Sequence, residues 1–226
     1  MDCARPSGHP IELNGARLLA EPSGAVWWQD EGTLIVADLH LDKGSSGAAD
    51  GAPLPPSNTI AMLERLVQSI RPDLRRVLCL GDGFPDSRGP ERPSDPDRAR
   101  IAALTQSCDW IWLEGSHDPG LPDGRGGRIV MGELAAGPLV FRPIAASAAD
   151  PGEVSGHYHP KVGVSLRGRR FAGPCFLYDG RRLVLPAFGA SAGGLDRGAP
   201  ELRALFPGRM SVALIARGRV VALPPW

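Results

Sequence analysis

The chain has 226 residues, enough for one substantial domain, and its 42% hydrophobic content is ordinary for a globular protein. Its 25 basic and 25 acidic residues cancel, which excludes a global basic field of the kind that drives non-specific nucleic-acid binding; any contact with a polyanion has to be local. No apolar run approaches the roughly 20 residues of a bilayer crossing, and MDCARPSGHP lacks the apolar centre of a signal peptide, so the expected location is cytoplasmic.

Taken in chain order, Ile11 to Ala20 has Asn-Gly between apolar flanks, a hairpin signal, and GAVWWQ continues it as a strand. Thr33 to Ala37 (TLIVA) is a continuous apolar run that predicts a buried strand ending in Asp-Leu-His. After a Gly/Ser/Ala/Pro-rich stretch, SNTIAMLERLVQSIRP predicts a helix with Ile60, Leu63, Val67 and Ile70 on its apolar face, capped by Ser57 and stopped by Pro72. Val77 to Asp82 repeats the strand-then-acid arrangement, SDPDRARIAALTQS predicts a second helix, and Trp110 to Leu113 a third strand. These alternations predict an α/β sheet with a site along the carboxyl edge of its strands. From Arg128 onward the runs RIVMGEL, GPLVFRP, EVSG, RRFAGPCFLYDGRRLVLPAFG and SVALIARGRVVALP predict short strands, with turns at Asp179-Gly180 and Arg217-Gly218. Nothing argues for a second domain, so one domain over 1–226 is expected.

Four of the five histidines lie in polar clusters at predicted strand ends. A lone histidine is usually structural; the clustering is what points to chemistry. Asp38 and His40 are two residues apart, so an extended chain would turn both to one side, and His157 and His159 repeat that spacing. Gly81-Asp82 adds a carboxylate where glycine permits close backbone approach. Carboxylate oxygen with imidazole nitrogen suits Mn, Fe, Zn or Co, which makes metal-assisted hydrolysis the leading reaction class. The separated cysteines Cys3, Cys79, Cys108 and Cys175 form no C-x-x-C pair and are expected to be reduced structural thiols.

The order D-x-H, G-D, G-S-H-D, G-H-x-H resembles the calcineurin-like metallophosphoesterases, and ADLHLDKGSS, LPPSNT, GSHDP, SGHYHP and CFLYDGRRLVLPAFGASAGGL resemble the bacterial ligase-associated DNA damage response endonucleases of the PdeM type. The resemblance implies an α/β (α+β) four-layer sandwich of two mixed β-sheets flanked by helices. It also implies a manganese-dependent phosphodiesterase acting on DNA, with a DNA ligase and a helicase as partners in repair. Asp38, His40 and His159 resemble the ligands of a first metal, with Asp82 bridging to a second that His157 also holds. His117 resembles the residue that aids departure of the leaving oxygen, and Asp118 the carboxylate that orients it.

Two second-metal positions depart from the family pattern. Ser116 stands where an Asn ligand is expected and Pro143 where a His is expected, and Pro85 replaces a further His. The expectation is one firmly bound ion, most naturally Mn²⁺, with a weak or absent second. Two other readings stay open: a catalytically impaired member that binds nucleic acid or a repair partner, and a phosphoesterase for small nucleotides. Lys43, Arg167, Arg169 and Arg170 are candidate phosphate contacts, forming a strip with Arg181-Arg182 if their strands are neighbours, or else solvated loop and hairpin positions. Trp27, Trp28, Trp110 and Trp112 are expected in the core rather than under a base.

Overall fold

A computed structural model describes residues 8–41, 57–83, 95–114, 126–148, 150–166, 168–188 and 193–224, with backbone alone for 57–59, 95–98, 166 and 169–170. The first strands, β1 (His9–Leu13) and β2 (Ala16–Ala20), form the expected hairpin. Its turn places Asn14 at φ 48° and Gly15 at φ 85°, the pair of positive angles that matches strand twist in a two-residue turn. β3 (Val26–Trp28) and β4 (Thr33–Ala37) continue antiparallel; β5 (Arg76–Leu80), β6 (Asp109–Leu113) and β7 (Arg128–Val130) then add in parallel. The seven strands lie in sequence order.

All five residues of β4 are buried because both faces of the sheet are covered. One face presents Leu34, Val36, Val77, Cys79, Trp110 and Trp112 to α1 (Ser57–Ser69) and α2 (Asp95–Gln106), where Met62, Leu63, Leu66 and Ile101 receive them. The other presents Ile35, Ala37, Leu78, Leu80, Ile111 and Leu113 to the second sheet. Trp27, Trp28, Trp110 and Trp112 are core residues, each at most 3% exposed.

The second sheet contains β8 (Leu134–Ala136), β9 (Leu139–Arg142), β10 (Glu153–Ser155), β12 (Arg169–Tyr178), β13 (Arg182–Val184), β14 (Ser211–Ala216) and β15 (Arg219–Ala222) in the order β15-β14-β12-β13-β10-β9-β8, with β11 (Lys161–Leu166) paired to β12. Strands β9, β10 and β13 are mutually parallel and the remaining pairs antiparallel. Leu202 and Leu205 of α3 (Pro200–Leu205) cover its outer face, packing on Cys175, Leu177, Val184, Val212 and Leu214. The layers are therefore helices, sheet, sheet, helix: an α/β sandwich of two mixed sheets.

Three expectations need correction. The buried face of α1 is Met62, Leu63, Leu66 and Ser69, while Ile60 and Val67 are 38% and 50% exposed; the helix is turned by one residue, about 100°. Strand β11 and helix α3 were not separated from their surroundings by periodicity. Finally, Arg181-Arg182 and Arg169-Arg170 occupy opposite ends of β12: Arg169 pairs with Leu166, whereas Tyr178 at the other end pairs with Leu183. The backbone therefore sets the two arginine pairs at opposite ends of that strand. Arg182 is itself 1% exposed and faces the wholly buried Glu153, which Arg142 also bonds through Nη1 at 2.7 Å.

Candidate functional site

The site forms where the carboxyl ends of parallel strands from both sheets meet. After β4, Asp38 N donates to Leu80 O (3.2 Å), His40 N to Asp82 O (3.0 Å) and Leu41 N to Gly83 O (2.8 Å), so the segments leaving β4 and β5 travel together. Beyond β9 and β10, Gly156 N donates to Pro143 O (3.2 Å). The two edges are joined by a charged hydrogen bond, in which the backbone N–H of His157 donates to Asp38 Oδ2 at 2.8 Å. That approach requires glycine at 156: a Cβ there would sit 2.7 Å from Ala37 Cβ and 2.8 Å from Asp38 Oδ2.

The backbone is strained at each of these residues. Asp38, His40, His157 and His159 all have left-handed φ, at 51°, 47°, 76° and 46°. Among the described residues the other non-glycine cases are Asn14 and Arg217, both in hairpin turns. Such conformations cost on the order of 1–3 kcal/mol each and persist where surrounding structure enforces them. They also correct the reason expected for convergence: Asp38 and His40 do not meet by alternation along an extended chain, but because each follows a sharp left-handed bend.

The side chains of Asp38, His40 and His159 come together. His159 Nε2 lies 3.4 Å from Asp38 Oδ2 and 3.4 Å from His40 Nε2. His159 Nδ1 contacts Gly193 O at 3.2 Å, and since a carbonyl can only accept, the proton is on Nδ1. In the neutral ring Nε2 is then a bare lone pair, pointed at a carboxylate oxygen and a second imidazole nitrogen. Asp38 is 1% exposed, and its Oδ1 is buried without a hydrogen-bond partner among the described residues. Burial pushes its pKa up, His159 and the His157 amide pull it down, and neighbouring Asp82 raises it further.

Asp82 is 2% exposed and touches this group through its backbone bond to His40. His157 joins through its amide, its ring lying edge-on to Tyr158 at 5.2 Å. Pro143 sits at the cleft floor, with its Cβ 3.4 Å from where Gly81 would carry one. Among the described residues no three His, Cys, Asp or Glu side chains close around one ion-sized point. His159 touches both Asp38 and His40, and the three do not close on a centre. Lys43, Pro85, Ser116, His117, Asp118 and Arg167 lie outside the described residues, as do the side chains of Arg169 and Arg170.

Sequence reasoning missed Arg65, Lys161 and Gly193. Arg65 falls within the buried stripe of α1, between Leu63 and Leu66, and a charge in such a stripe was the available signal. Gly193 carried none, because only the chain's return past His159 brings it to the site, and Lys161, two residues after His159, reads from sequence as an ordinary strand-start lysine.

No family model matches the sequence, and neither does any curated protein. Among solved structures, nuclease MPE of Pseudomonas putida matches with a TM-score of 0.71 and 26% identity, over 96% of this chain and 100% of that one. A protein of unknown function from Aquifex aeolicus, AQ665, aligns over 56% of this chain and 77% of its own at 14% identity, with a TM-score of 0.39. The two-sheet sandwich, with its strand ends converging on Asp38, His40 and His159, is built like a nuclease of the metallophosphoesterase type.

Proposed function

We propose that this protein is a metal-dependent phosphodiesterase that cleaves the DNA backbone. The observation that carries the reading is the meeting at His159 Nε2: with the ring proton on Nδ1 this lone pair lies 3.4 Å from the acceptor Asp38 Oδ2 and 3.4 Å from His40 Nε2, and lone pair and carboxylate repel unless a positive charge stands between them. A divalent cation meets that need, and oxygen plus imidazole donors suit manganese or another borderline metal. Asp38, His40 and His159 would hold it, with buried Asp82 alongside. When bound, such an ion supplies Lewis acidity, lowering the pKa of water and offsetting phosphate charge.

The chain's own residues do the rest. The Gly193 carbonyl fixes the His159 tautomer, and the His157 amide fixes the Asp38 carboxylate. In hydrolysis water bonds to phosphorus, the bond to the leaving oxygen breaks, and that oxygen takes a proton. His117, oriented by Asp118, is the donor the sequence resemblance assigns. The second-metal side is weak: Asp82 and His157 remain, Ser116 replaces Asn, and Pro143 offers carbon against Gly81. The nuclease identity of the Pseudomonas putida relative supports the reaction class. Action in repair beside a DNA ligase and a helicase rests on the sequence resemblance.

The test is Mn²⁺-dependent hydrolysis of bis(4-nitrophenyl) phosphate and of plasmid DNA by the natural chain and by the Ser116→Asn, Pro143→His double variant. Cleavage by the natural chain that EDTA removes is expected, with a faster double variant. A natural chain inert on both substrates beside an active double variant would favour the impaired, DNA-binding reading instead.

A further inference from the structure

A groove leaves the cleft at His159. It begins as a pocket of about 500 Å³ lined by Pro22, Ser23, Arg65, His159, Lys161 and Pro174, and continues into one of about 520 Å³ that shares Pro22, Ser23 and Arg65 and ends at Arg71. The two arginines along it differ. Arg71 donates to Glu21 at 2.6 Å and lies 4.8 Å over Trp27, so its charge is balanced. Arg65 lies 4.4 Å over the buried Phe188 ring, and its Nε and Nη2 are buried with no hydrogen-bond partner among the described residues.

A guanidinium in this position is expensive. Burial lowers the Arg65 pKa, yet arginine remains charged at neutral pH. Contact with a ring face offsets part of the desolvation, and leaves its donors without acceptors. An anion in the groove would balance the Arg65 charge, as Glu21 balances that of Arg71. Lys161, on the opposite wall, adds a second cation, and His159 places the groove next to the reacting centre.

We infer that Arg65 and Lys161 form an accessory phosphate subsite that binds an internal, non-scissile phosphodiester of the DNA strand whose neighbouring phosphate reacts at Asp38, His40 and His159. The inference rests on the proposed phosphodiesterase reading and adds to it the path of the strand. A substrate with a single phosphate cannot use this subsite; an oligonucleotide can.

The experiment compares Arg65→Gln, Lys161→Gln and the natural chain on a single-stranded oligonucleotide and on bis(4-nitrophenyl) phosphate, with oligonucleotide binding followed by fluorescence anisotropy across salt concentrations. For each variant the expected loss of kcat/KM on the oligonucleotide exceeds that on the aryl diester by about 10-fold, the scale of one charge-assisted contact. The slope of log affinity against log salt should fall by about 0.7 per removed contact. Lys161 is partly exposed, so Lys161→Gln carries the test if Arg65→Gln fails to fold. Equal losses on both substrates, or unchanged salt slopes, would overturn the subsite. So would a loss that appears only when the oligonucleotide bears a terminal 5′-phosphate, since the ligand would then be a monoester end. If the natural chain cleaves neither substrate, the phosphodiesterase reading fails, while the salt slopes still decide whether Arg65 and Lys161 bind phosphate.

Discussion

The carboxyl edges of the two sheets face each other across the cleft, and they are built differently. The first-sheet edge stands on close-packed hydrocarbon, with Leu34, Ile35, Val36 and Ala37 all at 0% exposure directly beneath Asp38. The second stands on charge: Glu153 at the start of β10 is met by Arg142 and Arg182, and Arg142 also reaches Glu133 and Asp150. Their contributions differ too. From the first come carboxylates and an imidazole, buried and held by backbone; from the second come two imidazoles and, at the floor, a proline. On the proposed reading, the side of the cleft shared by Asp38, His40 and His159 is the one that would hold a cation, and the side toward Pro143 would hold one poorly.

The largest expected effect strikes the ionic footing of the second edge. Glu153→Ala leaves Arg182 buried without its carboxylate and should cost about 3–5 kcal/mol in denaturant unfolding, the range for breaking a buried pair from one side. An effect below about 1 kcal/mol would mean that the hydrocarbon around β10 carries this edge after all. Next comes Asp38→Asn, which removes the charge facing His159 and should lower Mn²⁺ affinity by at least about 100-fold, measured by titration calorimetry. Equal affinity would place the ion elsewhere.

Gly156→Ala probes the join between the edges. The new methyl would meet Ala37 Cβ at 2.7 Å and Asp38 Oδ2 at 2.8 Å, so the sheets must part there. A cost of about 1–3 kcal/mol in stability, with weaker Mn²⁺ binding, is the expected outcome. A variant as stable as the natural chain would show that the edges slide freely. The smallest effect is that of Pro143→His alone, which restores one nitrogen on the poorer side while Ser116 remains; turnover of the aryl diester should rise by a few-fold at most, about 1 kcal/mol. A rise of 100-fold would show that Pro143 alone limits that side.

Much of this arrangement was legible in the sequence. TLIVA marks β4 at its observed bounds because a strand covered on both faces reads as an unbroken apolar run, and Asn14-Gly15 fixes a hairpin because its turn needs positive φ. The convergence of Asp38, His40 and His159 was foreseen from motif order. Its cause was not, because left-handed bends at non-glycine residues are imposed by tertiary contacts such as His157 N to Asp38 Oδ2. The face of α1 was misjudged by one residue, since Leu63 fits both apolar stripes and only packing against the covered face of the first sheet chooses between them. Arg182 reads as a hairpin-end cation, yet Glu153, far off in sequence, draws it into the core.

The central claim is the inequality of the two sides of the cleft, and metal stoichiometry tests it most directly. After loading with excess Mn²⁺ and desalting, elemental analysis should find one ion per chain, lost in Asp38→Asn and retained in Pro143→Ala. Two tightly held ions per chain in the natural protein would contradict the account.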